Sequence, residues 1–167
     1  MTAADGAAGV DVVTGPDVVT ALDQVQAKLA GAYLVAEWFL GIDSRDPDRA
    51  MASWHPRGVS SFTSGKVRDG SGAIRAWLER SLAAYAEVYH WCANLSLTVS
   101  GGGSTMHGEC RLSALCVLPS GEAIREVGTA VYDFSRAEGK WLISREVVTM
   151  QRRDPPRVAE QASPILP

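Results

Sequence analysis

The first third of the chain carries a helical spacing of apolar positions. From Val18 to Gly41, residues Leu22, Val25, Leu29, Ala32, Tyr33 and Ala36 recur three and four apart, with charged or amide side chains between them. That periodicity predicts a helix. Thr20 and Asp23 suit its first turn as a capping pair, and Gly41 suits its end. A short second helix is expected over Pro47–Trp54, with Met51 and Trp54 on one face, broken by the HPRG that starts at His55. Val59–Thr63 reads as a short strand and Ser64–Lys66 as a turn. Gly70–Tyr89 reads as a third helix whose apolar face is Ile74, Trp77, Leu78, Leu82, Tyr85 and Val88.

The second half switches to period two. Trp91–Val99 places Trp91, Ala93, Leu95, Leu97 and Val99 on one face and Cys92, Asn94, Ser96 and Thr98 on the other. A GGGS turn follows, then His107–Leu118, a Pro-Ser-Gly turn, Ala123–Phe134, an Arg-Ala-Glu-Gly turn and Trp141–Met150. These lengths and separators predict a meander of long antiparallel strands. Helices followed by an antiparallel sheet define an α+β class. A strongly curved sheet with the helices on its concave side would leave a cone-shaped hollow, a natural ligand pocket. Strand glycines such as Gly108 and Gly128 permit such curvature. Residues 1–19 are expected to form a flexible lead-in and 20–151 the domain. The stretch 152–167, with four prolines, is expected to leave the sheet ladder as a tail.

Composition narrows the classes of function. With 167 residues the chain suits one domain. A formal charge of −3 argues against a dedicated nucleic-acid binder. No apolar run approaches the roughly 20 residues that span a bilayer, and the acidic N-terminus lacks a signal peptide's pattern, so no membrane partner and a cytoplasmic location are expected. Cys92, Cys110 and Cys116 are odd in number and have no CxxC spacing, which suits reduced, mostly buried thiols. With only three scattered histidines, and no G-x-G-x-x-G, Walker loop or G-x-S-x-G, neither a metal nor a cofactor is expected.

Two residues carry the candidate chemistry. His55 and His107 read as surface or structural residues. His90 stands where the third helix gives way to the first long strand, in phase with Cys92 and Asn94, on a polar row that faces either solvent or a hydrated cavity. Asp43, in FLGIDSRD, could hydrogen-bond a pocket histidine, fix its tautomer and make it a general base near neutral pH. It could equally cap the short helix or form an Asx turn. Trp38, Phe39, Trp54, Phe62, Trp77, Tyr85 and Tyr89 are core residues at helical spacing, of which one or two could line a cavity.

Over Leu22–Met150 the chain resembles the SnoaL-like branch of the NTF2-like superfamily, which includes scytalone dehydratase, bile-acid dehydratase and hexachlorocyclohexane dehydrochlorinase. The resemblance rests on YLVAEWFLGID, RAMASW, YHWCANLSL and YDFSRAEGKWLISREVV. It implies an NTF2-like cone, in which N-terminal helices pack on a strongly curved antiparallel sheet that encloses a pocket. It also implies a catalytic pair, Asp43 orienting His90, which abstracts a proton while a leaving group departs. Where the family has a lysine or tyrosine about one turn before the aspartate, this chain has Trp38, an N–H donor but no acid at neutral pH. Trp38, Trp54, Asn94, Tyr89 and Arg136 are the expected substrate-binding residues. The function so implied is a cofactor-free lyase, a dehydratase acting by 1,2-elimination on a small, mostly apolar or polyketide-like substrate. The alternatives are a polyketide cyclase or isomerase using the same pair, and a non-catalytic binding or interaction module. A homodimer is the expected assembly, with a trimer as the alternative.

Overall fold

A computed structural model describes residues 16–62, 65–154 and 157–158. Residues 1–15 of the lead-in expected over 1–19, the strand end and turn at Thr63 and Ser64, and the tail from residue 159 lie outside the described residues.

Three helices and seven strands follow in the order α1 (Pro16–Asp43), α2 (Pro47–Met51), β1 (Trp54–Phe62), β2 (Val67–Asp69), α3 (Ser71–Ala84), β3 (Glu87–Ser100), β4 (Thr105–Val117), β5 (Glu122–Ala137), β6 (Lys140–Arg153) and β7 (Arg157–Val158). The α+β class stands, but the strongly curved antiparallel cone does not. Six strands follow the linear order β2-β1-β6-β5-β4-β3, leaving β2 and β3 as edges, and β7 pairs with β5 off this path. Closure would require those edges to pair. The sheet is also mixed, because β1 runs parallel to β6, with Val59 beside Arg145 and Phe62 beside Val148. Beyond Asp154 the chain regains the sheet at Arg157–Val158, against Ala123 and Glu122.

Two element boundaries here differ from the sequence pattern, each for a tertiary reason. The third helix ends at Ala84 rather than Tyr89, because Glu87–Trp91 pair with Ser113–Val117 of β4. That segment is rich in β-favouring Val, Tyr and Trp, and long-range pairing overrides its helical phase. The α3 end is closed from outside: the Arg45 guanidinium donates to the carbonyls of Leu82 and Tyr85 at 2.9 Å and of Ala86 at 3.2 Å. Leu82 lies in the last turn of α3, and Tyr85 and Ala86 follow directly after it. Trp54–Arg57 is strand rather than helix and break, with Pro56 in the stretch where β1 shifts register on β6, a place that tolerates a missing N–H.

Helix α1 packs on a different face from the one its periodicity marks. Leu22, Val25, Leu29 and Tyr33 are exposed, Leu29 at 70%. The buried stripe is Ala27, Leu34, Val35, Trp38, Phe39 and Ile42, which joins the core formed with Ile74, Leu78 and Leu82 of α3 and the inner face of the sheet. An all-round apolar helix offers two stripes, and spacing alone does not choose between them.

Helix α1 runs two residues past Gly41, to Asp43. Gly41 is there for close approach: a Cβ on it would lie 2.6 Å from Ala50 Cα and 2.7 Å from Ala50 Cβ, against the backbone of α2. Ala50 is itself fully buried. Gly41→Ala is therefore expected to lower unfolding free energy by about 1–3 kcal/mol through overpacking. Gly72→Ala, whose added carbon meets nothing within 4 Å, is expected to be neutral or stabilising by up to about 1 kcal/mol. Urea denaturation of the two variants checks both.

Candidate active site

The end of α1 and the start of β3 are joined through one carboxylate. Asp43 Oδ1 lies 2.7 Å from His90 Nδ1, and Asp43 Oδ2 accepts the His90 backbone N–H at 3.0 Å. The alternative role of Asp43 as a cap falls to Asp46, whose side chain accepts the Arg49 N–H at 2.9 Å ahead of Pro47. Phe39, one helical turn before Asp43 and so on the same side of α1, stacks on the imidazole with ring centroids 4.9 Å apart and planes at 24°. Ring nitrogen Nδ1, backbone nitrogen and ring face of His90 are thus all fixed by α1. Nε2 has no hydrogen-bond partner among the described residues.

His90 lines a cavity of about 240 Å³ between the helices and the sheet. Trp38, Phe39 and Ile42 come from α1, Trp77, Leu78 and Leu82 from α3, and Leu112, Ala114, Cys116, Val148 and Met150 from the sheet. The lining is mainly apolar, with His90, Ser81, Tyr85, Glu126 and Glu146 among its polar members.

Glu146 is the residue that the sequence reading missed. Its side chain is 1% exposed, and its oxygens accept the Trp38 indole N–H and the Ser60 hydroxyl, each at 3.0 Å. Burial raises its proton affinity above the ordinary glutamate value, while the hydrogen bonds from Ser60 and Trp38 and the charge of His90 act the other way. The fully buried Tyr132 hydroxyl lies near enough for the two groups to affect each other's ionisation, although it lacks a well-formed hydrogen bond among the described residues. A signal existed in the sequence, since Glu146 is in phase with Val148 and Met150. The opposite phase also holds Val147, so alternation alone could not say which row faces inward.

The other expected binding residues separate. Trp38 lines the cavity, but its indole N–H is committed to Glu146. Trp54 packs edge-on behind Trp38 at 5.3 Å and 78°, outside the cavity lining. Tyr89 lies on the exposed face of β3 beside Trp91, its hydroxyl donating to Glu87 at 2.8 Å. Arg136 sits over the Trp141 ring at 4.9 Å, by a separate groove that includes Asp23 and Gln24 of α1. Asn94 faces another groove, with Glu109 and Arg111.

Asn94 explains why. It has a positive φ of 55°, at a register shift between Ala93 and Ser96 where β3 carries an extra residue relative to β4. Such a bulge reverses which phase points inward. Before it, Val88 and His90 point toward the core and Tyr89 and Trp91 away; after it, Leu95, Leu97 and Val99 are the more buried set. Unbroken alternation put His90 opposite Leu95 and Leu97, whereas the bulge brings them to one face.

Among the described residues there is no group of histidine, cysteine or acidic side chains arranged to hold a metal, and no helix is long and apolar enough to cross a membrane. All three cysteines are free, with Cys110 and Cys116 buried and Cys92 exposed.

Several solved structures share this fold. A hexachlorocyclohexane dehydrochlorinase, LinA type 2, superposes with a TM-score of 0.77 at 20% identity over 87% of this chain and 98% of its own. A proposed scytalone dehydratase from Novosphingobium aromaticivorans gives 0.73 at 14% identity over 82% and 90%. An NTF2-like protein with a cystatin-like fold from the same species gives 0.69 at 21% identity over 86% and 92%. No curated protein matches by sequence. The SnoaL-like domain family, however, matches residues 11–146, and with most of its length covered the chain belongs to that family.

Proposed function

We propose that the chain is a lyase that eliminates water from a small, mostly apolar substrate, with His90 as the base. The observation that carries this reading is the short Asp43–His90 contact at the wall of an apolar cavity. Asp43 holds the Nδ1–H tautomer, which leaves the Nε2 lone pair to take a proton from a carbon beside an electron-withdrawing group. As the imidazole becomes positive, the Asp43 carboxylate offsets its charge. The apolar walls restrict water, which strengthens that interaction. The names of the structural relatives, a dehydrochlorinase and a proposed scytalone dehydratase, suit elimination chemistry.

With Trp38 standing where the resembled family has a lysine or tyrosine, leaving-group assistance is assigned in this reading to Glu146. The Trp38 donor is occupied, whereas Glu146 lines the same cavity as His90 and burial favours its neutral form. A neutral carboxylic acid can protonate a departing hydroxyl. The carbon proton goes to His90, the C–O electron pair leaves with oxygen, and Glu146 supplies the proton that completes the water. Return of the His90 proton to Glu146 through solvent closes the cycle.

His90→Gln is expected to lower kcat by about 10²- to 10⁴-fold with folding intact. Asp43→Asn is expected to lower it less, because one acceptor remains. A panel of aromatic β-hydroxy ketones tests this reading: dehydration gives a conjugated enone followed by absorbance, and mass spectrometry shows loss of one water. An unchanged product mass would identify cyclisation or isomerisation instead. Unchanged turnover in His90→Gln would sink the assignment of the base.

Glu146 also makes stability depend on pH. A carboxyl whose folded proton affinity is raised contributes its stability below the ordinary glutamate range and loses it as pH rises through the folded value. Glu146→Gln keeps the shape and cannot ionise. Its melting temperature is expected to gain on that of the wild type as pH rises from about 4 to about 8; a constant difference across that range would contradict a raised Glu146.

A further inference from the structure

Arg68, on the edge strand β2, is half-buried, and its guanidinium lies 4.2 Å from the centroid of the Trp77 ring and 4.9 Å from that of Phe62. Both rings line the His90 cavity. Five other arginines have carboxylate partners: Arg49 pairs with Glu37, Arg75 with Asp48 and Glu79, Arg145 with Asp133, Arg152 with Asp154 and Arg153 with Glu126. Arg68 has none among the described residues, and its hydrogen bonding there is one long contact, 3.5 Å, to the Lys66 carbonyl. A guanidinium carries five N–H donors in a planar fork suited to a carboxylate. Held against two aromatic faces, this one keeps most of its donors unmatched. Burial disfavours its ionised form most, Glu146 acts the other way, and the charge of Arg80 adds a smaller opposition. An incoming anion would relieve that imbalance.

The surroundings repeat the charge. Lys66, Val67, Arg68, Trp77 and Arg80 line an open groove with no carboxylate in its wall, and Trp77 belongs to both this groove and the His90 cavity. In a chain of net charge −3, this puts a local positive field beside an apolar cavity whose inner wall carries Glu146.

We propose that Arg68, supported by Arg80, binds an anionic group of the substrate at the edge of the His90 cavity, so that the substrate is an amphiphile with an apolar or aromatic body inside and a carboxylate outside. The proposal rests on the reading of this cavity as the substrate site. It also sets the orientation, with the anionic end at Trp77 and Arg68 and the reacting carbon inward at His90. The negative charge is then kept away from the carbon that must lose a proton, where it would oppose carbanion formation.

The test is binding of naphthoate and of neutral naphthamide, which share one aromatic body, followed by calorimetry. Wild type is expected to prefer naphthoate by about tenfold or more, the usual scale of a charge-assisted pair, with the preference shrinking as salt is added. Arg68→Gln should bring the two affinities within about twofold of each other while leaving naphthamide binding within about threefold of wild type. Arg68→Lys should keep part of the preference, and Arg80→Gln should lose part of it. Equal affinities in wild type, no binding of either compound, or a preference that survives Arg68→Gln would each overturn the proposal. The preference in His90→Gln separates the two readings. If it persists there while turnover is lost, both stand. Turnover that survives in His90→Gln beside an Arg68-dependent preference removes the catalytic reading alone, and a missing preference beside lost turnover removes the anion site alone.

Discussion

Both oxygens of Asp43 are spent on His90, one on the ring and one on the backbone amide, and the geometry of the cavity follows from that double contact. The carboxylate ties the last residue of α1 to the fourth residue of β3, so the helix layer cannot slide along the sheet without breaking it. Its position depends in turn on the close passage of Gly41 against Ala50 and on Arg45, which ties the α1–α2 turn to the end of α3. Stacked Phe39 completes the clamp. A histidine fixed at Nδ1, at its backbone and at its face has little rotamer freedom left to lose on binding, which is the condition for a well-placed base.

The second constraint is a carboxylate kept far from water. Leaving Glu146 ionised at 1% exposure with no cation against it would cost several kcal/mol. The structure meets that cost partly with two neutral donors, Trp38 and Ser60, and partly by favouring the protonated form. A core site filled this way is poorer for stability than an apolar side chain of the same size. Its place in the cavity wall sets this carboxyl and the clamped His90 against one apolar space. Arg68, packed on Trp77 and Phe62 at the cavity's edge, adds a third polar element.

Much of the layout was legible in the chain. Helix-type spacing in the first half and period two in the second pointed to the α+β class, while Asp43 and His90 were paired only through the family resemblance, since local pattern left both with structural alternatives. Glu146 and Arg68 were not legible for a common reason. Each is a charged residue in a strand segment whose phase is ambiguous, and whether such a residue faces solvent or the core depends on what packs across from it. The same ambiguity misled the reading of α1, where Leu22, Val25 and Leu29 have helical spacing yet face outward.

Local sequence thus determined which segments are helix and strand over most of the chain, because propensity and periodicity act within a few residues. Register, edges and facing were decided only by tertiary structure. Parallel pairing of β1 with β6 made the sheet mixed, β2 and β3 stayed at its two ends, and the bulge at Asn94 brought His90 to the face of Leu95 and Leu97. An extra residue in one strand of a pair is defined only relative to its partner, so a pattern read along a single strand has no means of showing it.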